Sequence, residues 1–568
     1  MKFPFKWQTI ILFMSRLGYK EYKGIMNMVK NIKQKNVLAW LFFFGVLSLE
    51  IWFFINRGAA YIDSDMAGDI IGGKMMLDAH NLFLKDWWYS TGIDMFGASH
   101  ASMIGLSISP QNWVVARMIS SVLLLLLMLV SYLFIAKLMD FDFGESLIFA
   151  TLTICPIGYL YFEFVVFGLF YIPNAYLSAL LLGVVFVTIK SKDEGKFKYA
   201  LYGFTLLFLG IILGISGVKF AIFPVGPLLI ASLIIIWLYV HNNPDKIKDY
   251  SSKEFKLLFS SIIAAISFIV GIVLNLTVIK NNLSFEIQSY IEWGEFSFTN
   301  IMKGIFEYLS LFGYQFDNHI WLLSRETSNI SCFSLQGVAN LFGIMMAVAI
   351  VFSAIRVTAR YKILSFFQQV IVLIYWSSLF TCCVMFNLTR GYDACTQYWT
   401  PIVPLTFLIL QIEITTENYS FINTRLFVIA VLVFSISFTS VASVKQFEKT
   451  PIHANPQLVN IANLIEEKGY KQGYASFWQA DALSFLTNGN VDVWTVFEFN
   501  KLTVYEWLQK KSHANPPTDD RIFALIGPDD NLDRENFLQY MDPAPGIPRI
   551  VYQDEYGYIL VEYNREVK

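Results

Sequence analysis

Charged residues are scarce in this sequence. Only 15% of its 568 residues carry a charge, whereas an ordinary soluble domain carries about 25%, and the mean hydropathy is +0.51. These values exclude a water-soluble fold. The 42 Lys and Arg residues nearly balance the 44 Asp and Glu residues, so no excess of positive charge indicates a nucleic-acid partner. We therefore expect the partners to be lipids or membrane-held molecules.

Cysteine and histidine are also few, with five and six residues respectively. No Cys-x-x-Cys pair occurs, and the Cys and His residues lack the spacing of a zinc site. A disulfide framework and a zinc centre are therefore not supported. Cys332 and Cys395 both fall outside the predicted membrane spans, which leaves a single disulfide between them open. No internal repeat is visible, so the inverted repeats of transporters are not indicated.

Long apolar runs dominate the chain instead. A hydrocarbon core of about 30 Å requires about 20 apolar residues in a helix, and eleven runs of this kind are present. They cover residues 37–55, 113–139, 146–168, 169–190, 199–217, 218–240, 257–279, 338–355, 364–386, 400–415 and 426–444. The pattern predicts an all-α polytopic membrane protein with about eleven transmembrane helices.

Orientation follows from the basic residues, because Lys and Arg are retained on the cytoplasmic side. A cytoplasmic N-terminus places 21 Lys and Arg residues on that side and nine on the other. Residues 1–36 form a basic segment that lacks the apolar core of a signal peptide. We interpret them as a cytoplasmic interfacial segment. With eleven spans in residues 37–444, the segment 445–568 lies outside the cytoplasm, as do two long loops at 56–112 and 280–337.

Residues 445–568 differ from the rest in composition and predict a small extracytoplasmic α/β domain. An amphipathic pattern over 458–465 indicates a helix, and a second helix is predicted around Trp507. Strand patterns cover 474–478, 491–497 and 522–526, and a terminal hairpin pairs 550–553 with 558–563.

The segment directly after the first predicted span carries the most informative pattern, Asp63-Ser-Asp65-Met-Ala-Gly-Asp69. Its first two carboxylates, Asp63 and Asp65, are predicted to lie together at the outer surface of the membrane. One interpretation is structural: Ser64 or Asp65 caps the helix that follows, and the helix dipole favours the carboxylates. The other is catalytic, because a carboxylate at this position can take a proton from an acceptor hydroxyl.

The motif and the topology together resemble the GT-C class of membrane glycosyltransferases, which use polyprenyl-phosphate sugars and carry an acidic motif in the first extracytoplasmic loop. Three segments carry a similarity to a bacterial group in this class: Asp63-Ser-Asp-Met-Ala-Gly-Asp, Lys85-Asp-Trp-Trp-Tyr-Ser-Thr, and Gly473-Tyr-Ala-Ser-Phe-Trp-Gln-Ala-Asp481 with Asn488-Gly489. The resemblance implies a GT-C-like membrane domain, a polyprenyl-phosphate-linked sugar donor, a glycan or cell-surface acceptor, and a bacterial plasma membrane.

A sugar on a polyprenyl phosphate already has a good leaving group, so the protein must chiefly orient the acceptor hydroxyl and take its proton. We expect Asp63 to be the general base, and Asp65 to orient the acceptor or hold a cation. A single direct displacement would invert the anomeric centre. In this class a monophosphate donor implies no metal and a pyrophosphate donor implies a divalent ion, so the cofactor requirement stays open.

The departing phosphate gains negative charge and requires cations near it. We rank Arg390, Lys219 and Arg325 first as donor-phosphate contacts, and their alternative role is contact with lipid headgroups. Relatives in the class often carry Arg-Tyr beside a proline pair, whereas Gln397-Tyr398 stands at this position. Arg390, in the same outer loop, is the expected substitute.

Four further ionisable residues are predicted to support the site. Glu50 and Glu163 fall in the outer thirds of their spans, where buried charge is costly and often functional. The alternative for Glu50 is an ion pair with Arg57 or extension toward the membrane surface. Arg57 and Lys85 lie in the first outer loop, with interfacial lipid contact as their alternative.

Three other functions stay open. A transporter or flippase of lipid-linked sugars needs polar residues along a transmembrane path, whereas the acidic residues here gather at one surface. A polysaccharide polymerase or ligase usually depends on arginine-rich outer loops, and only nine basic residues lie on that side. A receptor or scaffold would tolerate any substitution of Asp63.

Overall fold

The computed structural model describes residues 19–90, 92–191, 196–246, 249–285, 296–313, 333–388, 396–416, 422–449, 451, 454–499, 502–528, 530 and 547–564. A helix lies at each of the eleven predicted spans. Within the described residues, eight helices are long and apolar enough to cross a membrane, a ninth candidate is a helix pair bent by 88°, and two apolar helices are shorter. The chain is a mostly helical, multi-pass membrane protein.

The helices that precede the C-terminal region are numbered in chain order. They are α1 (Tyr19–Asn56), α2 (Ser64–Ala79), α3 (Ala98–Ile108), α4 (Trp113–Leu138), α5 (Phe143–Ile154), α6 (Tyr159–Phe167), α7 (Ile172–Lys190), α8 (Lys196–Ile215), α9 (Ala221–Asn242), α10 (Lys253–Asn282), α11 (Phe298–Ser310), α12 (Leu335–Ala359), α13 (Phe366–Leu388), α14 (Ile402–Thr416) and α15 (Ile422–Lys449).

The predicted span 146–168 is broken into the bent pair of α5 and α6. The break contains Pro156, whose ring cannot continue a helix. Helix α14 is short and mostly apolar, and every residue from 402 to 414 is buried, including Gln411 and Glu413. A helix of this kind belongs in the interior of a bundle, surrounded by other helices.

Helices α8 and α10 cross with their backbones in close approach. A Cβ built on Gly214 of α8 would lie 2.1 Å from the carbonyl oxygen of Phe268 and 2.7 Å from the Cα of Gly271. A Cβ on Gly210, one turn earlier, would lie 1.9 Å from the Ser267 hydroxyl. Small residues four positions apart allow such packing between membrane helices, where the hydrophobic effect does not drive association.

Ion pairs mark the two ends of the bundle. At one end, Glu145 of α5 pairs with Lys35 of α1 and with Arg425 of α15. At the other end, Arg57, which follows α1, lies 3.7 Å from Glu448 near the end of α15. Helices α1 and α15 therefore run in the same direction, and the loop after α1 lies at this second end.

The chain between α1 and α4 folds onto the second end as α2, strand β1 (Trp87–Tyr89) and α3. Asp63 begins α2, because its Oδ1 accepts a hydrogen bond from the backbone N–H of Met66 at 2.8 Å, as an N-cap residue does. A Cβ on Gly73 of α2 would lie 2.7 Å from the carbonyl oxygen of Ser99. The absence of a side chain there allows α3 to lie directly against α2.

The C-terminal region contains two helices and most of the strands. They are α16 (Leu458–Glu467), β3 (Gln472–Ser476), α17 (Phe477–Leu486), β4 (Asp492–Glu498), β5 (Thr503–Val504), β6 (Gln509–Lys510), β7 (Arg521–Ile526), β8 (Ile547–Gln553) and β9 (Ile559–Asn564). Six strands form one sheet in the order β5-β4-β3-β7-β9-β8. Strand β3 is parallel to both neighbours, whereas β9 is antiparallel to β7 and β8. The predicted α/β character is confirmed.

The predicted helix around Trp507 is wrong. Trp507 lies in a bend between β5 and β6, and Leu508 has a φ of 48°, which a right-handed helix does not contain. The side chain of Gln509 donates to the carbonyl of Thr495 at 3.3 Å, which holds this segment against β4. The strand predicted over 474–478 also ends early, because α17 begins at Phe477.

A small three-stranded sheet joins three distant segments of the chain. Strand β1 pairs in parallel with β2 (Ser284–Phe285), where Trp88 lies opposite Ser284. On its other edge β1 pairs with β6 in antiparallel register, where Trp88 lies opposite Gln509. The loop after α1, the chain after α10 and the C-terminal region are thus joined by backbone hydrogen bonds.

We expect Gly214→Leu to destabilise the protein by about 1–3 kcal/mol, because a side chain at the α8–α10 crossing forces the two backbones apart. Thermal unfolding of the purified protein in detergent measures the effect. Gly203→Leu in the same helix is the matched control, since nothing lies within 4 Å of a Cβ at Gly203. Equal losses in the two variants would contradict the packing assigned to Gly214.

Candidate active site

Asp63 lies at the junction of α1 and α2 and is only 3% exposed. The hydrogen bond from Met66 holds one carboxylate oxygen at the positive end of the α2 dipole. The backbone N–H of Asp65 is a second hydrogen-bond donor to this carboxyl group. The motif does contain the N-cap of α2, as the structural interpretation predicted. The predicted residue was wrong, because the cap is Asp63 and not Ser64 or Asp65.

A cavity of about 460 Å³ opens beside the start of α2, and we refer to it as the first cavity. Asp63, Asp65 and Asp69 line it together with residues from β1, α3, the turn between α6 and α7, and the bend at Trp507. Its volume lies in the range of small-molecule sites. The acidic motif therefore faces an enclosed space built from distant parts of the chain.

The three carboxylates of the motif have raised pKa values. Burial raises the pKa of Asp63 to about 6, although the cap hydrogen bond and Arg117 oppose the shift. Burial also raises the pKa of Asp69 to about 6. The pKa of Asp65 is raised well above its usual range, first by burial and then by the like charges of Asp63 and Asp69. Of these carboxyl groups, Asp65 is therefore one whose surroundings oppose ionisation both by burial and by neighbouring like charges.

Arg117 of α4 is a buried cation beside these carboxylates and is only 2% exposed. Its guanidinium donates to the carbonyl oxygen of Met66 at 3.1 Å and to that of Phe167 at 2.9 Å. Its charge lowers the pKa of both Asp63 and Asp69. Arg117 thereby ties the first turn of α2 to the end of α6. Arg117 is one of the nine basic residues predicted to lie outside the cytoplasm. It was not assigned to the site from the sequence.

Lys219 is the predicted cation that the structure places on the wall of the first cavity. Its ammonium group forms an ion pair with Asp94, and its side chain is 35% exposed. Asp94 follows β1 in the chain and also lines the cavity. The ion pair therefore holds the ammonium group of Lys219 in the same cavity as the acidic motif.

Sequence reasoning missed several other residues of this wall. Asp69 accepts a hydrogen bond from the Ser99 hydroxyl at 2.6 Å. His100 is buried on α3, and burial lowers its pKa. A signal for Asp69 was present, because Asp65 and Asp69 are four residues apart and therefore share one face of a helix.

Two other predicted residues lie at the same end of the bundle but do not line the first cavity. Arg57 pairs with Glu448 rather than with Glu50, and Lys85 is exposed. Arg390 and Arg325 lie outside the described residues, as do Cys332 and Cys395.

The two membrane-embedded glutamates also lie away from this wall. Glu50 is 5% exposed, and its oxygens have no hydrogen-bond partner among the described residues. The side chain of Glu163 on α6 is hydrogen-bonded to Tyr159. The structure therefore brings together Asp63, Asp65 and Lys219 from the predicted set.

Within the described ranges, no group of three or more His, Cys, Asp or Glu side chains is arranged to hold a metal ion. Asp63 has one oxygen committed to the helix cap, and Asp69 accepts a bond from Ser99. A metal is therefore not assigned to the acidic motif.

The solved structure of ArnT from Cupriavidus metallidurans bound to undecaprenyl phosphate is similar to this chain, with a TM-score of 0.51 and 10% identity. The similarity covers 92% of this chain and 97% of ArnT. The chain has the GT-C fold. The fold predicted from the acidic motif and the span pattern is thus confirmed. No protein family model and no curated protein sequence matches the chain.

Two structures of the oligosaccharyltransferase from Archaeoglobus fulgidus also show similarity, each with a TM-score of 0.43. The enzyme bound to Zn and sulfate is 14% identical over 81% of this chain and 62% of its own. The enzyme bound to an inhibitory peptide and dolichol phosphate, AglB, is 12% identical over 81% of this chain and 64% of its own.

Asp63→Asn tests the electrostatics of this GT-C site. The pKa of Asp63 rises from 3.8 to about 6 on folding, so its ionisation makes folding less favourable as pH increases through this range. Asn keeps a capping side chain without the charge. We therefore expect the stability of Asp63→Asn relative to wild type to increase by about 1–2 kcal/mol between pH 5 and pH 8.

Thermal unfolding in detergent at the two pH values measures this difference. Asp86→Asn makes the same chemical change at an exposed position and should leave the pH dependence unaltered. A stability difference for Asp63→Asn that is the same at both pH values would show that burial does not perturb this carboxyl.

Proposed function

We propose that the protein is a membrane glycosyltransferase that moves a sugar from a polyprenyl-phosphate carrier to a glycan or other cell-surface acceptor outside the cytoplasm. The observation that carries the proposal is the buried acidic start of α2, which faces the first cavity beside Lys219. The fold shared with ArnT, whose structure is bound to undecaprenyl phosphate, supports a lipid-phosphate donor.

Asp63 is the general base in this proposal. A pKa of about 6 leaves it ionised at neutral pH yet basic enough to take a proton as the acceptor oxygen attacks. The acceptor oxygen forms a bond to the anomeric carbon, and the bond from that carbon to the phosphate oxygen breaks. The electron pair leaves with the phosphate, and the single displacement inverts the anomeric centre.

Asp65 has a different role because its environment favours the protonated form. A protonated carboxyl group donates one hydrogen bond and accepts another, which suits it to orient an acceptor hydroxyl. Two neighbouring carboxyls whose pKa values are pushed apart can thus act as base and orienting group at the same pH.

Lys219 is the donor-phosphate contact. Its pairing with Asp94 positions the ammonium group before a ligand arrives, and a preorganised cation is worth most where water is excluded. Arg390 and Arg325 retain the donor-phosphate roles predicted from the sequence. A divalent ion enters the proposal only for a pyrophosphate donor.

We assign the first cavity to the extracytoplasmic side of a bacterial plasma membrane. The opposite end of the bundle carries the basic residues Lys35 and Arg425, and also Arg356, which lies 3.1 Å from Glu413. Basic residues at that end support its assignment to the cytoplasm. The C-terminal region, which contributes Leu508 to the cavity wall, is then extracytoplasmic.

We expect Asp63→Asn to reduce sugar transfer by at least about 100-fold, because the acceptor proton loses its base. Purified protein incubated with radiolabelled polyprenyl-phosphate sugars measures the rate, and Asp86→Asn is the matched control. Near-normal transfer by the Asp63 variant would overturn the assignment of the base. In cells, sugar-loaded carrier retained in the inner leaflet at normal protein abundance would instead indicate a flippase.

We expect Lys219→Gln to lower kcat/KM for the lipid-linked donor by about 10- to 100-fold, since a hydrogen bond to a charged group is worth about 1.5–3 kcal/mol. Arg57→Gln is the control, because its side chain is 53% exposed and pairs with Glu448 outside the cavity. The control should remain within about threefold of wild type. Equal effects in the two variants would argue against donor contact by Lys219.

A further inference from the structure

A second cavity, of about 280 Å³, lies on the other side of α2, between this helix and the C-terminal region. Trp113 at the start of α4 lines it from the membrane domain, and Asp481 and Ser484 of α17 line it from the C-terminal region. Trp87 lines both cavities. The proposed transfer chemistry uses none of these four side chains.

Asp481 is a buried polar group of this second cavity that lacks a hydrogen-bond partner. It is 4% exposed, and in the described part of the chain its carboxyl group takes part in no hydrogen bond. Burial raises its pKa well above the usual range, Asp492 and Asp65 add to the shift, and Lys510 opposes it. Burial of a polar group without a partner destabilises a protein, and a ligand that supplies a hydroxyl would remove this cost.

The turn between α17 and β4 fixes the aromatic wall opposite. Asn488 accepts a hydrogen bond from the backbone N–H of Trp113 at 2.9 Å. Gly489 has a φ of 75°, and a Cβ on it would lie 2.5 Å from the Trp113 ring. The absence of a side chain lets the turn press against the indole. The Asn488-Gly489 pair of the sequence motif thus holds the Trp113 indole in the wall of the cavity that Asp481 also lines.

Apart from Asp481, the charged side chains around the second cavity are paired with one another. Lys74 pairs with Asp78 at 2.5 Å. Asp492 pairs with Lys510 at 2.8 Å and lies 3.2 Å from His513. A ligand that carried a net charge would have to break these pairs. The lining therefore favours an uncharged ligand that offers hydroxyl groups on one side and C–H groups on the other.

We infer that the second cavity binds an uncharged sugar residue, with Asp481 bonded to its hydroxyl groups and Trp113 against its ring. A protonated carboxyl group donates and accepts at once, as a sugar hydroxyl also does. Gly68 lines the first cavity, and a Cβ on it would lie 3.3 Å from Asp481 Oδ2. The bound sugar is thus separated from Asp63 by helix α2. We identify it as a sugar unit of the acceptor, and this identification rests on the proposed function.

Equilibrium binding of free glucose, galactose and N-acetylglucosamine to the full-length protein in detergent tests the inference, with saturation-transfer NMR as the readout. No donor is present, so the result does not depend on transfer. Asp481→Leu removes the hydroxyl contact, and Ser484→Phe fills the cavity. We expect each to weaken binding at least about tenfold. Asp520→Leu, the same change at an exposed site, should bind like wild type.

Loss of binding in Asp63→Asn with retention in Asp481→Leu would place the sugar in the first cavity and overturn the inference. Absence of binding by the wild-type protein to all three sugars would overturn it as well. A diazirine-bearing sugar crosslinked to the wild-type protein gives a readout that needs no variant. Labelling of peptides that contain Trp113 or Asn488 supports the second cavity, and labelling confined to other peptides contradicts it.

Discussion

The buried guanidinium of Arg117 is the contact on which the arrangement of the site depends. It bonds to the carbonyls of Met66 and Phe167 and so fixes the start of α2 against the broken helix pair. Its charge also offsets the burial of Asp63 and Asp69. Buried charges persist only when they are paired or solvated by hydrogen bonds. One cation therefore serves both the geometry and the electrostatics of the first cavity.

The first cavity depends on long-range contacts as much as on the motif itself. Asp63 is positioned by its own helix, but the walls around it come from α3, the chain after α6, Lys219 and the bend at Trp507. These segments bury the carboxylates of the motif, and charge interactions are stronger for buried groups than for groups in water. Burial among these segments also raises the pKa of Asp63 to about 6.

The sequence predicted the helices well because apolar length is a local property. Asp63 and Lys219 were found by their positions next to spans, and the structure places both on one cavity. The bend at Trp507 was missed because strand pairing by Gln509 and the positive φ of Leu508 are set by distant contacts. The role of Arg117 was hidden for the same reason. The orientation in the membrane and the boundaries of the interfacial segment stay predictions.

The three-stranded sheet affects when the first cavity can assemble during synthesis, because it joins early and late segments of the sequence. Its outer strand β6 pairs with β1, although the two strands are separated by more than 400 residues of sequence. The bend beside β6 closes the wall around Asp63. During synthesis, the acidic motif is therefore translated long before the bend that completes the wall around it. The wall around Asp63 can therefore close only after the bend at Trp507 has been translated.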